Sequence, residues 1–244
     1  MDTRADEIAA GIHRVSVFLP QGAGGAGFTF NHFLILGDEP LLFHCGLRKM
    51  FPLVSEAVAK IIPLKKLRWL SFGHFEADEC GSMNEWLAAS PLMRSLCMVQ
   101  SVAQCRLQIW RIVHHACSLM ARLSTSEASG FATLIPHTFR TGGMRVSPLK
   151  RAQRPFYAAT FLRKRGGGPP LTENDIVGPA MEAEDFYALT SLGPATAPNI
   201  RKLMETKPTT LALMHGSSFR GDTVGALGAL ADHYEARLQK AMGR

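Results

Sequence analysis

The chain has 244 residues, 46% hydrophobic and 19% charged, with a formal net charge of +7. That length supports one large domain with a substantial core, and the sequence is read as a single domain spanning residues 1–244. No run approaches the roughly 20 uncharged apolar residues of a membrane span, and Met1 to Ala10 carries Asp2, Asp6 and Glu7 instead of a basic and then apolar leader, so the expectation is a soluble, unexported protein with no membrane partner.

The basicity is local. Residues 105–165 hold eleven Arg or Lys and a single acid, Glu127, whereas the remaining 183 residues hold 16 basic and 19 acidic side chains. Nucleic-acid binding would need a folded basic face built from that one segment, and nucleic acid is not expected as a partner. The five cysteines (Cys45, Cys80, Cys97, Cys105, Cys117) are odd in number and form no C-x-x-C pair, which excludes a disulfide framework and a cysteine zinc knuckle. A reducing cytoplasm fits this usage.

In chain order, the first hundred residues alternate short apolar runs with turn signals, as layered α/β or α+β domains do. Val15 to Leu19 and Phe28 to Leu36 read as strands joined by a hairpin loop rich in glycine (Gly22, Gly24, Gly25, Gly27). No helix pattern follows those glycines, so they are not a dinucleotide fingerprint. Pro40 to His44 reads as a third strand. Phe51 to Ile62 has helical spacing and is closed by Pro63, and Leu67 to Phe72 is again a strand. A helix is expected from Cys80 to Ala89, with Met83, Trp86 and Leu87 inward and Pro91 at its end.

Residues 105–165 show no sustained period of two or 3.6 and end at a Gly166-Gly167-Gly168-Pro169-Pro170 break. Regularity returns afterwards. Leu171 to Asp175 opens a polar, acid-rich stretch, Asn199 to Thr206 reads as an amphipathic helix, and Thr209 to Met214 is an apolar strand leading into His215-Gly216-Ser217-Ser218. A last helix runs from about Asp222 to Met242, with Val224, Leu227, Leu230, Ala231, Tyr234 and Leu238 as its buried stripe.

The densest chemical signal is Ser71-Phe72-Gly73-His74-Phe75-Glu76-Ala77-Asp78-Glu79-Cys80-Gly81. An imidazole and two carboxylates alternate over five residues just past a strand, where loops commonly present ligands. The residues alone leave two readings open, a metal-binding loop and a solvated turn. If a metal binds, carboxylates with imidazole suit iron or manganese, and a zinc enzyme would more usually carry a second His at position 76.

His74-x-Glu76-x-Asp78 after an apolar strand resembles the first ligand motif of the flavodiiron branch of the metallo-β-lactamase superfamily. There the general pattern is H-x-H-x-D-H, and this branch has Glu for the second His. The sixth position departs from the pattern, being Glu79. Leu213-Met214-His215-Gly216-Ser217-Ser218-Phe219 is similar to the branch's last ligand motif. The likeness covers roughly residues 28–97 and 168–225.

The resemblance implies an α+β fold, a metallo-β-lactamase-like αββα sandwich of two mixed β-sheets with helices outside. It also implies that His74 and Glu76 bind one metal and that Asp78 and His215 bind the other, with two irons as the cofactor. Two further ligands of the pattern, a His in a Thr-Pro-His turn and a bridging Asp after an apolar strand, belong between the matching blocks. No Asp occurs between Glu79 and Asn174, so the bridging carboxylate is missing. His137, after Pro136, lies close to where the ligand His would fall and is carried as a substitute ligand.

Codons that can encode Phe156 to Leu162 spell Leu-Cys-Ser-Asp-Leu-Phe in a shifted frame, and those for Ile135 to Phe139 can hide Asp-Thr-Pro-His-Val. Both resemble the missing motifs, in the right order. We therefore read residues 105–165 as translated out of frame, which also accounts for the arginine excess, and expect them to pack poorly. Resequencing the gene without finding a compensating insertion and deletion would remove this reading.

Other candidates are weaker. His114 and His115 are adjacent, so their side chains diverge. His32 and His44 read as core or surface histidines. Cys105 and Cys117 have no base beside them, and no G-x-S-x-G elbow or Walker loop is present.

Flavodiiron centres bind or reduce dioxygen or nitric oxide with electrons from a flavin on an attached flavodoxin domain. This chain has no residues left for that domain, so the expectation is no flavin of its own and an external redox partner, or a sensing role. A homodimer is compatible with that reading. The missing Asp makes an inactive relative one alternative. A zinc hydrolase acting on an acyl or thioester substrate is another, against which Glu76 argues.

Overall fold

The computed structural model describes residues 1–20, 27–72, 76–97, 131–134, 156–159, 167–188, 190 and 192–243. The chain divides into two compact units, 1–128 and 129–244.

The first unit is built on a six-stranded mixed sheet. Its strands are β1 (Asp2–Ala9), β2 (Ile12–Leu19), β3 (Phe28–Ile35), β4 (Leu41–Phe43), β5 (Trp69–Phe72) and β6 (Arg94–Cys97), paired in that order. The first four are antiparallel, and β4, β5 and β6 run parallel. Leu19 pairs with Phe28 across the glycine-rich connection, so the expected hairpin is present. The connections between the parallel strands carry α1 (Phe51–Ala59), then α2 (Ala77–Cys80) and α3 (Met83–Ala89).

Alternation along β2 and β3 sets the core. Val15, Val17, Phe30 and Leu34 lie on one face and cluster with Val54 and Trp86 from the helices. The opposite face, with Arg14, Ser16, Asn31, Phe33 and Phe43, is buried too. Burial on both faces explains why these strands read as near-continuous runs.

Two differences from the sequence reading have local causes. β1 was not expected, because as an edge strand its side chains are mostly exposed or half-buried and its charges hide the alternation. The single helix expected over 80–89 is interrupted after Cys80, where Ser82 sends its N–H to the Gly46 carbonyl (2.9 Å) and its hydroxyl to the Cys45 carbonyl (2.6 Å).

The second unit carries a five-stranded mixed sheet in the order β7 (Phe131–Leu134), β8 (Phe156–Ala159), β10 (Thr210–Leu213), β11 (Ser218–Phe219) and β9 (Leu171–Thr172). β7, β8 and β10 are parallel neighbours. Both β7 and β8 fall inside residues 105–165, where no strand was expected; four residues are too few to display a period of two. The rest of that anomalous segment lies outside the described residues.

Three helices accompany this sheet: α4 (Val177–Tyr187), α5 (Thr196–Met204) and α6 (Thr223–Ala241). α4 replaces the expected polar stretch. Asp175 caps it, accepting from the N–H groups of Val177 (2.9 Å) and Gly178 (3.1 Å), and its Gly and Pro near the start obscure the helical pattern. α6 is capped by Asp222, which accepts from Gly225 N–H at 2.8 Å, and it buries Leu227, Leu230, Ala231 and Tyr234 as expected. Val224 and Leu238 are only half-buried. Arg201 of α5 reaches Asp232 (2.7 Å) and Glu235 (2.6 Å) on α6, exposed pairs of small energetic weight. Among the described residues, no helix is long and apolar enough to cross a membrane.

Candidate metal centre

β5 ends at Phe72, and His74 follows at a position outside the described residues, as does His137. The chain returns at Glu76, whose extended backbone (φ −121°, ψ 149°) places it at the N-terminal end of α2. The Glu76 carbonyl accepts the N–H groups of Glu79 (3.1 Å) and Cys80 (2.9 Å), closing a single turn. Within that turn Glu76 is exposed, Asp78 is half-buried and Glu79 is fully buried. Glu79 is the inward residue of the turn, and Glu76 and Asp78 are the more exposed of its three acids.

Glu79, the residue that breaks the motif at its sixth position, meets His44. The His44 Nε2 lies 3.3 Å from Glu79 Oε2, both side chains being 1% exposed. The contact is electrostatic, since no aligned hydrogen bond forms at that nitrogen. His44 follows β4 and holds a left-handed backbone (φ 62°), as does Gly46 (φ 85°). The sequence reading left His32 and His44 between core and surface; both are core. The departure at position 79 was the available signal, but its partner 35 residues earlier could not be named from sequence.

His32 is fully buried, and neither ring nitrogen makes a hydrogen bond, although His44's backbone lies close by. Burial foremost, then the neighbouring His44 and Arg14, push its pKa down to about 3. The native imidazole therefore stays neutral where the unfolded one, near 6.5, is protonated. The unfolded state binds the extra proton below pH 6.5, so native stability falls as the pH drops from 6.5 towards 3. The expected slope from this group is about 1.4 kcal/mol per pH unit. Urea unfolding of wild type and His32→Gln between pH 7 and 5 checks this; a smaller acid loss in the variant is expected.

In the second unit the register brings three strand ends together. Leu134 pairs with Ala159 and Ala159 with Leu213. His215 follows β10 by two residues, at the edge where these parallel strands end and where α/β sheets commonly place ligands; His137, three residues past β7 in the sequence, lies outside the described residues. His215 is buried (1% exposed) and precedes Gly216, whose φ is 78°. Between β7 and β10, β8 ends at Ala159, with no acid. Its end is where the shifted frame would have put Asp.

Donor chemistry tests how well a metal fits. The residues that the sequence resemblance implies, His74, Glu76, Asp78 and His215, would offer two nitrogen and two carboxylate donors, a chemistry suited to one divalent first-row ion. A bridged pair does not fit equally well, because the carboxylate that would join the two ions has no counterpart. Among the described residues, no three His, Cys, Asp or Glu side chains are grouped to hold a metal.

No family model matches the chain, and no curated protein matches its sequence. Solved structures do match. The Flv1 flavodiiron core of Synechocystis sp. PCC6803 aligns with a TM-score of 0.68 at 16% identity, over 99% of this chain and 62% of that one. A fragment (1–254) of diflavin flavoprotein A 5 from Nostoc sp. PCC 7120 aligns at 0.67 and 14%, over 99% and 98%. Rubredoxin oxygen:oxidoreductase from Desulfovibrio gigas aligns at 0.65 and 16%, over 95% and 62%. This chain thus spans a little over three-fifths of the two longer proteins and nearly all of the Nostoc fragment. Its two mixed sheets with their helices form an α+β fold, the metallo-β-lactamase-like fold of the flavodiiron proteins.

Proposed function

We propose that this chain is an iron-binding domain of the di-iron, flavodiiron type, with its second metal position weakened by the absent bridging carboxylate. The ligands are His74, Glu76, Asp78 and His215, with His137 as a substitute for the imidazole that the pattern expects after β7. The observation that carries the reading is the motif His74-x-Glu76-x-Asp78 leading into α2 on the fold of flavodiiron proteins. Iron bound by such nitrogen and carboxylate donors supplies an open position for dioxygen or nitric oxide. Electrons come from an external redox partner, or the domain senses its ligand without turnover. A cytoplasmic setting and a homodimer complete the proposal.

Glu76 favours iron over a hydrolytic zinc site, in which imidazole would usually stand at that position. The test is metal content by mass spectrometry on anaerobically purified protein saturated with ferrous iron. About one iron per chain is expected, lost in the double variant His74→Ala, His215→Ala. No bound iron in the wild type overturns the proposal, and two tightly held irons overturn the weakened second position.

A further inference from the structure

Burying an imidazole and a carboxylate together is costly, because desolvation offsets most of their attraction and an apolar pair of similar size would often be at least as stable. The contact between His44 and Glu79 therefore calls for a role other than stability. Its surroundings supply one. The dipeptide His44-Cys45 grips the end of β5 and the turn of α2 together: His44 N–H donates to the Ser71 carbonyl (2.8 Å), and Cys45 N–H donates to the Glu79 carbonyl (2.7 Å). Glu79 is thus held at its backbone by Cys45 and at its carboxylate by His44.

The grip extends on both sides. Ser82 ties the start of α3 to Gly46 and Cys45, and the Trp86 indole N–H reaches the Cys45 carbonyl at 3.4 Å. His44 adopts its left-handed backbone (φ 62°) to make this approach, a conformation unfavourable for a non-glycine residue and kept only where the surroundings require it.

We infer that His44 and Glu79 are positioning residues that set the rotation of the α2 turn, and with it the placement of Glu76 and Asp78 for metal. In a single turn closed onto the Glu76 carbonyl, the rotation has one degree of freedom. Pinning Glu79 inward removes it, and the burial gradient from exposed Glu76 through half-buried Asp78 to buried Glu79 records the outcome. The superfamily pattern has imidazole at the sixth position; here the carboxylate stands there and the imidazole comes from the end of β4. The inference rests on the metal-binding reading above.

Cobalt(II) is the probe, added anaerobically to the full metal-free chain, with affinity and visible ligand-field absorption as readouts and urea unfolding of the metal-free protein alongside. Glu79→Ala and His44→Ala are each expected to weaken cobalt binding by roughly tenfold or more and to change the spectrum. Glu79→Gln, of nearly the same shape, is the control for a loss of folding in the alanine variant, and is expected to lose several-fold. The exchange variant His44→Glu with Glu79→His is expected to recover part of the loss. Wild-type affinity and an unchanged spectrum in Glu79→Gln and Glu79→Ala, whatever their unfolding shows, overturn the positioning role. A wild type that takes up no cobalt instead overturns the metal reading on which it rests.

Discussion

Gly46→Ala is expected to destabilise the protein by about 3 to 5 kcal/mol and to be among the most damaging single methyl additions in the chain. Two costs add. Gly46 sits at φ 85°, a conformation that costs an L-residue roughly 1–2 kcal/mol. A Cβ at this position would also fall 2.5 Å from His32 Cε1 and 3.2 Å from Nε2. His32 is fully buried and cannot swing into solvent, so the ring or the His44–Gly46 backbone must shift. A backbone shift would in turn strain the Ser82 N–H bond to the Gly46 carbonyl and the grip on α2. Urea unfolding at pH 7.5, where His32 is neutral in both states, measures the loss without the acid effect. A change under about 1 kcal/mol would show that this segment yields easily and would argue against a rigid α2 mount.

Trp86→Ala is expected to cost about 3 to 5 kcal/mol for a different reason. Trp86 is the largest fully buried side chain among the described residues of the first unit and meets Phe51 of α1 edge to face, with ring centroids 5.3 Å apart. Its removal opens a cavity between α1, α3 and the sheet that the close-packed neighbours cannot fill. It also takes away the indole donor of the Cys45 carbonyl, although Ser82 still serves that oxygen. Trp86→Phe separates the two effects, since it keeps most of the packing and loses only the donor; a loss of about 1 to 2 kcal/mol is expected. Thermal unfolding followed by far-ultraviolet circular dichroism checks both. If Trp86→Ala unfolds within a degree or two of wild type, the helix layer contributes little to the unit.

Patterning alone determined much of this protein. The runs Val15 to Leu19, Phe28 to Leu36 and Thr209 to Met214 appear as strands with ends within one to three residues, and the stripe of the last helix buries Leu227, Leu230, Ala231 and Tyr234, because a face turned to a core must be apolar at the period of its backbone. The alternation of His74, Glu76 and Asp78 stood out in the sequence for the same local reason, since all three lie within five residues. Elements that obey long-range demands were not legible. β1 is polar because it lies at a sheet edge, β7 and β8 are too short to show a period, and α4 begins with Gly178 and Pro179 under an Asp cap.

The tertiary structure alone decided the surroundings of the motif. Sequence marked Glu79 as a departure from a pattern, but its meaning depends on His44, which reaches it only because β4 and β5 are parallel neighbours and the chain turns through φ 62° at the strand's end. The edge shared by β7, β8 and β10 likewise depends on strand register, which places Ala159 beside Leu213 although 54 residues separate them. Local chemistry is written in neighbouring letters. Which distant side chains share a buried space is set by packing, and packing is a property of the whole chain.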